Sequence, residues 1–559
     1  MSDVRSAQVW FGPSDRPLYG WVSTPADGLA RGGAILCPPM GEEGRSAHRT
    51  FRRLAEELAA QGIVALRFDY DGTGDSAGLQ DDPDRVASWL ASIEAARQYL
   101  LDLGVVDVSA VGMRLGATLV ACQAAASTAF HSLVLWDPCL SGRTFLREGE
   151  ALFALGEDDG RDHQDGLRHT PGFQYDEATA KAMRTIDLAK IPADRRIADR
   201  LLLLSRTDRP AAQGIEQRVR LEPGEVELQP ALAQDELLDL APSDNFVPVD
   251  ALANLVTWLV AGSDPAAVPV KAAEERSVRV ASAGPGSTQV VESSMRLGES
   301  AIYGVRDEPV TPVDGAPWVV LVNVAAEHHI GPGRRWVEWA REWAARGYRV
   351  VRIDQSGIGD SPTYDGQIEG ESFAPEWIDD MRQVVQTLSA DGVPVLVMGL
   401  CSGGYSAFEV ALWEKVDGVF AVNPRLTLYP AAKGTYAYTP RRRAGIAPNR
   451  PFAALALRHR ILAGGLWRIY REVAVWHAPF RVVRSVVKRG TVVWISGCRE
   501  DQQHFTEVVF WWPSFARLRR TPRLVFEVDD VFDHSLLARA GQQRTFERAT
   551  EFLEKVAPL

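Results

Sequence analysis

Short runs of consecutive apolar residues alternate along this chain with longer stretches in which apolar positions recur every three or four residues. AILCP from Ala34 and WVVLVNV from Trp318 read as buried strands. FRRLAEELAAQG and WVEWAREWAARG carry apolar positions at helical spacing and close on glycine, as a helix C-terminus often does. The order strand, loop, amphipathic helix, strand, helix, strand predicts a parallel sheet flanked by helices, an α/β fold.

The pattern occurs twice. ILCPPMGEEGRSAHRTFRRLAEELAAQGIVALRFDYDGTGDS, from Ile35, reappears as LVNVAAEHHIGPGRRWVEWAREWAARGYRVVRIDQSGIGDS. Asp69 then matches Asp354 and Ser76 matches Ser361, both at an offset of 285, and Gly112 matches Gly399 at 287. Each half ends in a helical pattern, ALANLVTWLVAG and QQRTFERATEFLEKVA. Two tandem domains are expected, residues 1–262 and 288–559, joined by a linker over 263–287 rich in Ala, Pro, Ser and Gly.

Composition narrows the class. The chain has 559 residues, a net charge of −12, 46% hydrophobic residues and 5 cysteines, which excludes a disordered, collagenous or disulfide-scaffold protein. No run approaches the roughly 18 apolar residues of a membrane span, and the start, MSDVRSAQVWF, lacks a basic and apolar leader, so a cytoplasmic location is expected. The cysteines show no CxxC spacing, and neither a metal nor a cofactor is expected.

Candidate chemistry sits at two glycine-flanked turns. In PVLVMGLCSGGYSAFEVAL, Gly399, Cys401 and Gly403 fall between a strand and a helix, a tight turn that lifts the middle side chain above the sheet. Cys401 then lies at a helix N-terminus, where the dipole favours a thiolate. Downstream, the loop after TVVWISG supplies Asp501, with Glu500 as a rival, and the segment after RLVFEV supplies His534. A histidine there can exchange a proton with the thiol while the carboxylate orients the ring.

With its GLCSGG elbow and DHSLL segment, the chain resembles the α/β-hydrolase superfamily, as two tandem copies. The resemblance implies Cys401 as nucleophile, Asp501 as orienting acid and His534 as base. It also implies an oxyanion hole from backbone N–H groups of Ser402 and of Ala325 or Ala326. Cysteine in place of the usual serine is similar to the elbows of polyhydroxyalkanoate synthases and dienelactone hydrolases, the former acyltransferases that act on thioesters. The first half carries Arg114 at the elbow position, has Asp208 at the acid position and lacks the histidine. It reads as an inactive copy, with an anion site at Arg114 as the alternative.

GTGDSA at Gly72–Ala77 formally matches a dinucleotide fingerprint, but its counterpart GIGDSP places proline third, so a structural turn is expected. Glu327, His328 and His329 lack metal spacing; beside the oxyanion loop, His328 and His329 are candidates for substrate contact. An insertion at 425–489, where the superfamily carries a cap, holds 14 basic residues, Arg441, Arg442 and Arg443 among them, against Glu472 alone. Trp467, Tyr470, Trp476 and Phe480 lie between the charges, giving an apolar wall with a positive rim or, more plainly, a solvated face. No nucleic-acid motif is present.

These features together predict an acyltransferase of secondary-metabolite type. It would take an acyl group from an acyl carrier protein or coenzyme A thioester through a Cys401 acyl-enzyme to a hydroxyl or amine. A thioesterase with the same triad and a non-catalytic tandem scaffold are the alternatives.

Overall fold

The computed structural model describes residues 4–156, 166–192, 194–206, 208, 211–240, 242, 244–274, 276–282, 288–426, 429–430, 436–437, 479–498, 501, 518, 520–529, 531, 533–536 and 538–559. Contacts divide it into two compact units, Met1–Ser294 with Pro332–Ala345, and Met295–Gly331 with Arg346–Leu559.

The apolar runs become central strands because both of their faces are covered. In the first unit Gly32–Cys37 lies between Ile63–Phe68 and Val108–Met113, with Ile35 opposite both Leu66 and Ala110. The sheet continues in parallel through Phe130–Trp136, Ala198–Ser205 and Glu225–Pro230. The hairpin Val4–Phe11 and Leu18–Pro25 closes the other edge antiparallel to Ile63–Phe68. Alternation along the central strand sends Ala34 and Leu36 to a core shared with Phe51, Leu54 and Leu58 of the helix Glu42–Ala60. Ile35 and Cys37 face the opposite core, with Trp89 and Ile93 of the helix Arg85–Asp102.

The second unit repeats this plan. Trp318–Val322 lies between Arg349–Ile353 and Val395–Leu400, followed in parallel by Gly418–Val422, Val492–Cys498 and Leu524–Asp529. Ile302–Pro309 runs antiparallel to Arg349–Ile353. Helices Trp377–Ser389 and Ser402–Trp413 bury Met381, Val384, Leu388, Phe408 and Val410 against Val320, Val322 and Val397.

The repeated GxGDS segment is a structural turn in both units. Asp69 accepts the Asp75 N–H at 2.9 Å, while the Ser76 hydroxyl donates to the Asp69 carbonyl at 2.7 Å and accepts the Tyr19 N–H at 2.9 Å. Asp354, Asp360, Ser361 and Tyr303 make the same set of bonds. The serine hydroxyl and the preceding aspartate are thereby engaged within the protein, which gives the motif a structural role.

Arg441, Arg442, Arg443, Trp467, Tyr470 and Trp476 of the basic insertion lie outside the described residues, as does Glu500. The insertion ends in the helix Pro479–Lys488, which buries Val482, Val483 and Val486 in the second unit's core and leaves Arg484 and Lys488 exposed. At those two positions the charges lie on a solvated helix face. Among the described residues no helix is long and apolar enough to cross a membrane, and no His, Cys, Asp and Glu cluster is arranged to hold a metal.

Candidate active site

The strand Val395–Leu400 turns into the helix Ser402–Trp413 at Cys401, which has φ 52° and ψ −108°. Such a left-handed position is strained for a side chain other than glycine's and is held here by tight packing. A Cβ on Gly399 would come 2.2 Å from the Gly403 carbonyl carbon, and one on Gly403 would come 2.8 Å from the Asn323 carbonyl oxygen. Cys401 N–H donates to the Val422 carbonyl at 2.9 Å, and its own carbonyl accepts the Tyr405 N–H at 3.1 Å and the Arg425 N–H at 3.3 Å. The Cys401 side chain is partly exposed, whereas Cys37, Cys139 and Cys498 are buried.

His534, expected on a loop after the strand Leu524–Asp529, lies close enough to the Cys401 side chain for the two groups to interact electrostatically. Its Nδ1 hydrogen-bonds to Asp501 Oδ2. Burial pushes the imidazole down, but the interactions with Asp501 and Cys401 outweigh it and lift its pKa from 6.5 to about 9. Burial pushes Asp501 up, and here too partners win: the His534 bond and charge, the Arg425 charge and a Cys498 thiol bond hold it below the usual carboxylate range. Arg425 reaches Asp501 Oδ1 at 2.8 Å, and Cys498 Sγ lies 3.4 Å from Oδ2.

Three residues that sequence reasoning passed over build this frame: Asn423, Arg425 and Cys498. Asn423, with φ 44°, follows the strand Gly418–Val422. Its Oδ1 accepts the Cys498 N–H at 2.7 Å, and its Nδ2 donates to the carbonyls of His534 at 3.0 Å and Asp533 at 3.3 Å. One amide thus ties together the loops that carry the acid and the histidine. Its place at the carboxyl end of a central strand was the available signal, since sites of open α/β sheets gather there.

The oxyanion loop differs in detail from expectation. Ala325 N–H, with φ 48° at its residue, donates to Ser402 Oγ at 2.7 Å rather than standing open beside the Ser402 N–H. Ala326 is half-buried against Ile358, Ala374 and Trp377. His329, expected to meet substrate, is 1% exposed: its N–H donates to Asp354 Oδ1 at 2.6 Å, and its Nδ1 lies 2.8 Å from Oδ2. It anchors the loop to the GIGDS turn. His328 packs edge-on against it and is partly exposed.

In the first unit the same elbow geometry, φ 52° and ψ −121°, carries Arg114. Its Nε donates to Glu43 at 2.9 Å and its Nη1 to Asp137 Oδ2 at 3.2 Å, while Glu148 stands 3.8 Å from Nη2. The cavity it lines, about 500 Å³, also presents Glu42, Glu148 and Asp239, so the guanidinium is already neutralised and an anion would meet carboxylates. Asp208 pairs with Arg206 at 2.7 Å. Asp244 and Asn245 stand in the sequence where the second half has Asp533 and His534, and Asn245 donates to the Ser46 and Leu237 carbonyls.

Two mostly parallel sheets, each with a strand–elbow–helix at its centre, have the layout of the α/β-hydrolase fold. Residues 318–462 match the family described as Hydrolase_4, serine aminopeptidase S33. The chain is similar in structure to Est1E from Butyrivibrio proteoclasticus, at 14% identity and a TM-score of 0.35, covering 46% of this chain and 98% of that one. It is similar likewise to an esterase from Pyrobaculum calidifontis, at 15% identity and a TM-score of 0.33, covering 46% and 85%. Two fungal esterases from Rhizomucor miehei give 14% identity and a TM-score of 0.34, with coverage of 47% and 83%. No curated protein sequence matches the chain.

Proposed function

We propose that the second unit is a cysteine-dependent acyl-transfer enzyme and that the first is its inactive copy. The observation that carries this reading is the connected series Cys401, His534, Asp501 at the elbow of an α/β-hydrolase sheet. With its pKa near 9, the imidazole of His534 is protonated at neutral pH, which leaves the sulfur as the hydrogen-bond acceptor and the attacking atom.

Cys401 Sγ attacks the carbonyl carbon of an acyl thioester, and the oxygen gains the negative charge near the Ser402 N–H. Collapse breaks the bond to the donor sulfur, which leaves with the proton of His534, so the acyl group rests on Cys401. The neutral imidazole then takes the proton of an acceptor hydroxyl or amine as that atom attacks the acyl-enzyme. Expulsion of Cys401 restores the starting ion pair. Water as acceptor makes the same cycle a thioesterase, and the match to a hydrolase family supports that second reading. For the donor we favour an acyl carrier protein or coenzyme A, because 14 basic residues lie in the insertion 425–489 of an otherwise acidic chain.

The test is intact-protein mass spectrometry of wild type and Cys401→Ala, mixed with a panel of acyl thioesters and quenched early. An acyl increment on wild type alone supports the reading, and addition of candidate acceptors then separates transfer from hydrolysis. A Cys401→Ala protein that consumes thioester as fast as wild type overturns it.

A further inference from the structure

The acid of the proposed triad is shared. Asp501 presents Oδ2 to His534 Nδ1 and Oδ1 to the Arg425 guanidinium at 2.8 Å. Arg425 is itself fixed to the nucleophile's backbone, since its N–H donates to the Cys401 carbonyl at 3.3 Å. It lies three residues beyond Val422, the end of the strand beside the elbow strand, after Asn423 and Pro424.

In the reactive form the groups alternate in sign: sulfur negative, imidazolium positive, carboxylate negative, guanidinium positive. Without the guanidinium the row carries one net negative charge, and each proton loss along it becomes harder. Among the described residues, Asp501 also meets the Cys498 thiol, at 3.4 Å, and the Asp533 carboxylate beside His534 accepts the Ser535 N–H at 2.8 Å.

We propose that Arg425 is a positioning residue that clamps Asp501 and balances its charge, so that Cys401 reacts more slowly at neutral pH once the guanidinium is removed. This rests on the reading of Cys401, His534 and Asp501 as a working triad. It does not rest on the identity of any substrate.

The experiment is alkylation of the full-length chain by iodoacetamide, with the modified peptide at Cys401 quantified by mass spectrometry from about pH 5 to about pH 9. Wild type is compared with R425Q, R425M, R425K and H534Q, each first checked for fold by circular dichroism. The acid limb of the R425Q and R425M profiles is expected to move up by about one pH unit, which is roughly tenfold slower alkylation on that limb. R425K, which keeps the charge, is expected to stay close to wild type. Two glutamine and methionine variants guard against misfolding of one, and R425K carries the test if both misfold. Profiles of R425Q or R425M that superimpose on wild type, or an R425K profile displaced as far as theirs, overturn the proposal while a slow H534Q leaves the triad standing. An H534Q profile that also superimposes on wild type overturns the triad itself.

Discussion

Ser402 Oγ accepts the backbone N–H of Ala325 at 2.7 Å, so the residue after Cys401 occupies one of the two donors proposed to meet a carbonyl oxygen. Substrate binding then exchanges one acceptor for another. In Ser402→Ala the Ala325 N–H is left without its partner in the free protein, a penalty of about 1–3 kcal/mol that a bound carbonyl relieves. We expect the variant to unfold a few degrees lower, roughly 2–4 °C per kcal/mol for a unit of this size, and to show a lower KM for an acyl thioester. A raised KM with an unchanged Tm would show that the hydroxyl contacts substrate instead.

His534 makes stability depend on pH in a defined direction. Its pKa is raised from 6.5 to about 9 in the folded protein, so the folded state binds the proton more tightly than the unfolded chain. The resulting stabilisation is complete below about pH 6.5 and is lost as pH rises through about 9. The difference in urea midpoint between wild type and His534→Gln should therefore shrink as pH rises across that interval. A difference that stays constant would place the proton elsewhere.

Much of this could be read from the residues. Strand Trp318–Val322 and the Gly399–Cys401–Gly403 elbow follow from apolar runs and flanking glycines, whereas the order Cys401, Asp501, His534 is what the resemblance to the α/β-hydrolase superfamily implies. The roles of Asn423, Arg425 and His329 could not be read in this way. Each depends on which loops converge at the ends of non-adjacent strands, and a side chain's partner across such a gap leaves no periodic trace in sequence. His329 and His534 look equally available as letters, yet one is sealed against Asp354 and the other opens onto Cys401.

The GIGDS turn of the second unit and Gly366, five residues beyond it, give a comparison between two glycines that both have positive φ. Gly359 has φ +54°, and a Cβ there would sit 2.1 Å from Asp354 Oδ2; Gly366 has φ +81° with nothing within 4 Å. Gly366→Ala should cost about 1 kcal/mol, the price of the backbone conformation alone. Gly359→Ala adds a collision with a carboxylate that is already bonded to His329 and Asp360, and should cost about 3 kcal/mol or more. Chemical denaturation measures both. Equal losses would mean that the Asp354 side chain moves aside freely and does not organise the turn.

Arg114 offers the corresponding test in the first unit. Its guanidinium, 7% exposed, pairs with Glu43, Asp137 and Glu148, and with Glu43 and Glu148 lines a cavity of about 500 Å³. Replacing it by methionine keeps most of the volume and removes the charge, leaving partly buried carboxylates without their cation. Breaking a buried ion pair from one side costs about 3–5 kcal/mol, and we expect Arg114→Met to lie near the lower end because Glu148 is 48% exposed and can turn to water. Adding Glu43→Gln removes one of the stranded charges, so the double variant should recover part of that loss and be more stable than Arg114→Met alone. Strict additivity of the two substitutions in urea unfolding would show that Arg114 acts through packing and not through charge. On the proposed function, acylation of Cys401 should persist in Arg114→Met, since Arg114 and Asn245 stand where the second unit has Cys401 and His534.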